Sequence, residues 1–254
     1  MSDLRFSIIT CTWNSEPYLE DSIASVLAQD HSNIEYIFVD GGSDDGTVER
    51  IHRIDRPFRF VTGIRGGISR AMNEGLRLAT GDVIAHLHSD DYYLHAGVLR
   101  EVAEAFRSSS AGWLFGRTMF RNGASVAPPE WRVPHYSHAR LLKGNFIPHE
   151  ATFVRRELYE RAGGFDSALR YAMDYDMWLR LARLAQPLQL DRYLSVFRQH
   201  AGSLSTANRI AGFEEDYRIR VAHAGQAPWT RAYHWMHYLV RKRRLQRLEP
   251  VVSA

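Results

Sequence analysis

The chain is 254 residues long, 45% hydrophobic and 24% charged, which is the balance of an ordinary globular protein and excludes a collagen-like, low-complexity or wholly disordered chain. A single cysteine, Cys11, rules out an intrachain disulfide and a thiolate metal cage. The 32 basic and 29 acidic residues are unevenly spread: six basic residues and no acid lie between Trp229 and Leu248, leaving 26 basic against 29 acidic elsewhere. The main body therefore lacks the basic surplus that phosphate-backbone binding requires, and nucleic acid is not an expected partner. No run of 18 apolar residues and no secretory-signal pattern is present, so the expectation is a cytoplasmic protein that does not span a membrane.

In chain order, Arg5–Thr10 reads as a strand and Glu16–Gln29 as a helix with Leu19, Ile23, Val26 and Leu27 on one face. Ile34–Asp40 is a second strand, ending in the turn cluster Gly41–Gly46 that opens a helix near Thr47. Phe58–Thr62 (strand), Ile68–Ala79 (helix) and Val83–Leu87 (strand) continue the alternation, which is that of βαβ units and a mainly parallel sheet. Beyond Asp91 the pattern becomes mixed: a helix over His95–Arg107, a strand over Trp113–Arg121, and a loop holding Pro128, Pro129 and Pro134. A strand at Ala151–Val154, helices at Arg156–Ala162 and Asp174–Leu184, and a strand at Leu188–Phe197 follow. Asn208–His223 and Trp229–Leu248 are helical in pattern. The expected division is a catalytic-type domain over 1–206, with halves of about 1–92 and 93–206, and a helical extension over 207–254.

In an open parallel sheet ligands sit beyond the carboxyl ends of the strands, so residues just after the apolar runs carry the most weight. Asp40 ends the second strand, Asp90 and Asp91 follow the fourth, and Asp174 and Asp176 open a later helix. Asp40 alone is equally well explained as a turn former. Adjacent carboxylates such as Asp90-Asp91 suit a hard cation, Mg²⁺ or Mn²⁺, whose octahedron substrate phosphate oxygens would complete, although acids in a turn are common.

Seven blocks then occur in order: Ser7–Asn14 (SIITCTWN), Phe38–Thr47 (FVDGGSDDGT), Gly67–Gly75 (GISRAMNEG), Ala79–Asp82 (ATGD), Leu87–Asp91 (LHSDD), Gly163–Asp166 (GGFD) and Asp174–Trp178 (DYDMW). Together they resemble the family 2 glycosyltransferases of GT-A fold over about residues 5–200. The resemblance implies an α/β fold of GT-A type, with a Rossmann-like mixed, mainly parallel sheet flanked by helices and a C-terminal helical tail. It implies an inverting enzyme that moves a sugar from a nucleotide-diphosphate sugar, a UDP-sugar above all, to an acceptor hydroxyl of a glycan or lipid-linked glycan. By position, Thr10, Thr12, Trp13 and Asp40 would bind the nucleobase, with Asp40 accepting from a ring N–H. Arg70, Asn73 and Asp90 would contact the nucleotide-sugar, and Asp91 would coordinate Mn²⁺ or Mg²⁺. His200 would be a second ligand or a phosphate contact, with a surface or packing role as the alternative. His149 and Glu150 would lie on the acceptor side.

Asp174 corresponds to the general base of that family, which would take the acceptor's proton as the anomeric centre acquires oxocarbenium character. Here Met173 stands where a Glu-Asp pair is commoner, and Asp176 is the runner-up. A Rossmann-type oxidoreductase is the nearest other enzyme, but no G-x-G-x-x-G follows the first strand. A sugar-nucleotide-binding protein without turnover is a further alternative. The aromatic and basic residues of 229–248 suggest an anionic membrane surface as partner, placing the protein peripherally on the inner face of the plasma membrane, or packing onto the chain's own domain.

Overall fold

The computed structural model describes residues 3–131, 133–200, 202–203, 208–225 and 228–248; the boundary expected at 206/207 lies outside them. The strands are β1 (Phe6–Thr12), β2 (Ile34–Asp40), β3 (Phe58–Val61), β4 (Val83–His86), β5 (Tyr92–Tyr93), β6 (Trp113–Asn122), β7 (Ser125–Ala127), β8 (Thr152–Arg155) and β9 (Leu188–Gln199). The helices are α1 (Glu16–Leu27), α2 (Thr47–His52), α3 (Ile68–Leu78), α4 (Val98–Arg107), α5 (His138–Leu141), α6 (Arg156–Ala162), α7 (Met173–Leu184), α8 (Arg209–His223) and α9 (Pro228–Leu248).

One sheet runs β3-β2-β1-β4-β8-β6-β9-β5, with β7 paired to β6 off this path. β1 to β4 are mutually parallel, as the βαβ pattern predicts. β8 is antiparallel to both β4 and β6, and β9 is again parallel to β6. This arrangement has a functional consequence. A strand antiparallel to β4 begins where β4 ends, so the residues before β8 meet the residues after β4.

Alternate residues of the central strands feed two cores, as a period of two requires. Phe6, Ile8, Tyr36 and Phe38 pack with α1 and α4 on one face. Ile9, Cys11, Ile37 and Val39 pack toward α3 and α7 on the other, where Trp113 and Trp178 stack 5.8 Å apart. α3 lies close on β1 because position 75 is glycine: a Cβ there would stand 2.4 Å from Ile9 Cγ2.

Four short elements escape sequence reading: β5, β7, α5 and a 3-10 turn over His149–Ala151, which takes Ala151 from the strand expected there. β5 is only two residues long and exists through its pairing with β9, Tyr92 opposite Val196 and Tyr93 opposite Ser195. Local periodicity carries no signal for such a contact.

Candidate active site

The carboxyl ends of β1, β2 and β4 lie along one edge. At β2, Asp40 is 0% exposed and its carboxylate is saturated. It accepts from Thr12 Oγ1 (3.0 Å), Gly42 N (2.8 Å), Ser43 N (3.0 Å), Ser43 Oγ (2.5 Å) and Thr62 Oγ1 (2.7 Å). Burial opposes ionisation, but these bonds outweigh it and hold Asp40 below the usual carboxylate range. Asp40 thereby shapes the loop after β2 through donors of the chain itself. Thr12 serves Asp40. Thr10 is likewise fully buried, and its hydroxyl donates to Leu87 O at 2.7 Å, tying β1 to the end of β4. Trp13, by contrast, is 72% exposed and lies along Gly41, where a Cβ would stand 3.4 Å from its Cδ1.

After β4, Asp91 is buried and accepts from the backbone N–H of Arg198 at 3.0 Å. Arg198 Nε also donates to Asp90 O at 3.1 Å, and His200 Nε2 lies 3.0 Å from Asp90 Oδ2. The pairing of β5 with β9 thus brings His200 to the acid pair across 110 residues of chain. Burial first, then the charges of Asp90 and Glu150, pushes Asp91 well above the usual carboxylate range. The nearby Arg198 opposes this rise without cancelling it, and the remaining crowding of acids is what a divalent ion relieves. Among the described residues no group of three or more His, Cys, Asp or Glu could hold a metal alone. Asp90 and Asp91 are oxygen donors of the kind Mn²⁺ or Mg²⁺ takes, with the remaining positions left to phosphate oxygens, while His200 is bonded to Asp90.

Across the edge, Asp174 stands in the first turn of α7. Its Oδ1 accepts from Tyr175 N (2.7 Å) and its Oδ2 from Asn145 Nδ2 (2.9 Å). Burial pushes it up to about 6. Glu150, from the 3-10 turn before β8, is buried, accepts from Thr118 Oγ1, and feels the charges of both Asp174 and Asp90. The antiparallel placement of β8 therefore sets Glu150 between the acid pair and Asp174. Asp176 is already engaged: its Oδ2 accepts from Arg180 Nε at 2.8 Å, and its Oδ1 lies 3.1 Å from His223 Nε2.

The glycosyl transferase family 2 profile matches residues 7–162. This chain belongs to that family. The transferase is 31% identical over 197 residues to an uncharacterized glycosyltransferase of Mycobacterium tuberculosis, covering 75% of this chain and 74% of the relative. It is 28% identical over 184 residues to a chondroitin synthase of Escherichia coli, covering 70% of this chain and 26% of that one. S. aureus TarS in complex with UDP-GlcNAc superposes with a TM-score of 0.73 at 20% identity, covering 92% of this chain and 70% of that one. A mannosyltransferase of Pyrobaculum calidifontis in complex with GDP-Man and Mn²⁺ gives 0.68 at 18% identity, covering 99% and 77%. The fold of the transferase is GT-A: a mixed, curled sheet flanked by helices, with helices at its C-terminal end.

Two further expected residues of the transferase take other roles. Asn73 donates to Phe165 O (2.8 Å) and accepts from Phe165 N (2.8 Å), a two-way bond that clamps the Gly163–Phe165 turn onto α3. His149 is stacked on His88 at 4.8 Å and packed by Trp178 and Phe165, so of the pair expected on the acceptor side only Glu150 joins the cluster of acids. Arg70 is exposed at the start of α3 and forms no ion pair among the described residues. Arg65 was not foreseen. Its guanidinium lies over Gly42, whose φ of +92° and missing Cβ leave the room. Asn145 and Arg198 were also unforeseen, because both act through contacts made far along the chain.

Proposed function

We propose that the transferase takes a sugar from a nucleoside-diphosphate sugar, a UDP-sugar above all, and adds it to an acceptor hydroxyl of a glycan or lipid-linked glycan with inversion at the anomeric carbon. The observation that carries this reading is Asp174: a half-buried carboxylate with a raised pKa, oriented by two donors, sharing electrostatic reach with the Asp90-Asp91 pair through Glu150. The acceptor oxygen attacks the anomeric carbon, its proton passes to Asp174, and the carbon–oxygen bond to the diphosphate breaks with its electron pair leaving on that oxygen. A single displacement of this kind needs one base and one means of stabilising the leaving group. Bound at Asp91, with Asp90 and His200 beside it, Mn²⁺ or Mg²⁺ would neutralise charge gathering on the departing diphosphate.

The chain's own residues supply the rest. Trp13 offers an open indole face to the base, and Arg65 and Arg70 present guanidinium groups near the glycine loops with no ion pair among the described residues. UDP is favoured by the likeness to TarS, whose solved complex holds UDP-GlcNAc; the archaeal mannosyltransferase holds GDP-Man. A glycan acceptor, and a hexosyl or N-acetylhexosaminyl donor, are favoured by the likeness to chondroitin and hyaluronan synthases. No helix among the described residues is long and apolar enough to cross a membrane. A peripheral site on the inner face of a membrane is favoured by α9: Trp229, Tyr233, Met236 and Val240 recur on one face and are exposed, with Arg231 and Arg243 also exposed.

The test is a thermal-shift screen of nucleotide-sugars with and without Mn²⁺, followed by product analysis with the ligand that raises stability. A metal-dependent shift by a UDP-sugar and release of UDP on adding an acceptor are expected. A shift without release would indicate a binder without turnover, and no shift with any nucleotide-sugar would overturn the reading.

A further inference from the structure

α8 lies beyond the residues matched by the family profile, yet it reaches the surroundings of Asp174 from two sides. On one side the carboxylate of Glu215 accepts the backbone N–H groups of Arg170 (3.1 Å), Tyr171 (2.7 Å) and Ala172 (2.8 Å), the three residues just before α7. The start of a helix attracts an anion through such N–H groups, and here the chain supplies its own. On the other side Arg220 donates from NH1 to Lys143 O at 2.7 Å. Tyr175 Oη, from α7, donates to Leu141 O at 2.7 Å, and Asn145, two residues after Lys143, donates to Asp174. His223 completes the attachment by its contact with Asp176.

The residue types matter. A helix that merely covered α7 would bury apolar side chains, since burying charge is costly unless it is hydrogen-bonded. α8 buries Phe213 and Ile219, but beside them it also buries Glu215 at 6% exposure and Arg220 at 1%. Glu215 binds backbone atoms of the segment that carries Asp174, and Arg220, which also contacts His237 Nδ1 at 3.2 Å, binds a backbone carbonyl of the segment that orients it.

We infer that Glu215 and Arg220 are positioning residues of the transfer reaction, fixing from α8 the two chain segments that aim Asp174 at the acceptor hydroxyl. The inference rests on the reading of Asp174 as the base, and the experiment separates the two. Full-length Glu215→Ala, Glu215→Gln and Asp174→Asn are compared by calorimetric donor affinity and by kcat and acceptor KM for transfer.

Because misplacement of a reacting group by about 1 Å costs up to roughly 100-fold, Glu215→Ala is expected to lower kcat about 10- to 100-fold with donor affinity unchanged. Glu215→Gln keeps an acceptor oxygen for the three N–H groups and should recover most of that loss. Wild-type kcat in Glu215→Ala alongside an inactive Asp174→Asn overturns the positioning role; full activity in Asp174→Asn overturns the base assignment itself. Should Glu215→Ala fail to fold, Arg220→Lys keeps the charge but not the reach to Lys143 O. A lowered kcat at unchanged donor affinity supports the inference there, and an unchanged kcat overturns it.

Discussion

Asp174 and Asp176 stand two residues apart in the first turn of α7 and are driven in opposite directions. Asp174 is pushed up to about 6 by burial, with only Tyr175 N–H and Asn145 as donors. Asp176 is also penalised by burial, but the bond from His223 and the charge and bond of Arg180 hold it below the usual range. A base needs a proton affinity near working pH and a free lone pair. Asp174 meets the first condition, whereas Asp176 is held ionised by Arg180 of its own helix and by His223 of α8.

Transfer should accordingly fall on the acid side with a midpoint near pH 6, not near 4, because Asp174 must be ionised to accept the acceptor's proton. The folded state holds that proton more tightly than the unfolded chain, so this group's effect on stability worsens as pH rises from about 4 to about 6. The penalty at neutral pH is roughly 2–3 kcal/mol for a shift of about two units. Asp174→Asn should therefore lose roughly 10²- to 10⁴-fold in kcat while melting no lower than wild type at pH 8. A pH–rate profile and thermal melts at two pH values check both statements; an acid midpoint near 4 would contradict the first.

Asp91→Asn should preserve the fold and abolish the part of donor-induced stabilisation that depends on Mn²⁺. His200→Ala should weaken that dependence by about tenfold without abolishing it, as expected for a residue that supports the site from beside Asp90. Titration of Mn²⁺ at fixed UDP-sugar, followed by melting temperature, reads both.

Asp40 and Trp13 sit side by side in sequence reading and should separate by experiment. Asp40→Ala removes the acceptor of the buried Thr12 hydroxyl, which costs about 1–3 kcal/mol, and of the half-buried Gly42 and Ser43 N–H groups, and should lower the urea midpoint. Trp13→Ala, at an exposed position, should leave stability within about 0.5 kcal/mol. It should weaken donor binding by about tenfold, since stacking a base on an aromatic ring is worth about 1–3 kcal/mol. Equal donor affinity in wild type and Trp13→Ala would remove the indole from the base site.

The inner and outer faces of α9 differ in kind. Tyr238 stacks on Phe213 and Tyr217, and Lys242 pairs with Glu214, so the inward face is aromatic and polar. Replacing Trp229, Tyr233 and Met236 together by Ser should reduce co-sedimentation with anionic vesicles and leave the melting temperature in place. Tyr238→Ala should do the reverse. Unchanged pelleting in the triple variant would mean that the outward stripe serves something other than a lipid surface.

The order of blocks from Ser7 to Trp178 and the alternation of strand and helix up to Asp91 were legible without coordinates, because βαβ units are held by local periodicity and their ligand edge follows from strand direction. So was the placing of Asp40, Asp90, Asp91, Asp174 and Asp176 at the ends of strands or the start of a helix. Tertiary structure alone decided which polar residues are available. Asp40, Thr10 and Asn73 look like ligand contacts in one dimension, yet their hydrogen-bonding capacity is spent on the chain itself. Asn145, Arg198, His200, Glu215 and Arg220 owe their roles to partners tens of residues away, brought close by the antiparallel β8, the β5–β9 pairing and the docking of α8. A sequence pattern reports which groups a segment carries and which face they share; only the folded chain settles which of those groups are already satisfied, and saturation, not residue type, is what divides a scaffold carboxylate from a reactive one.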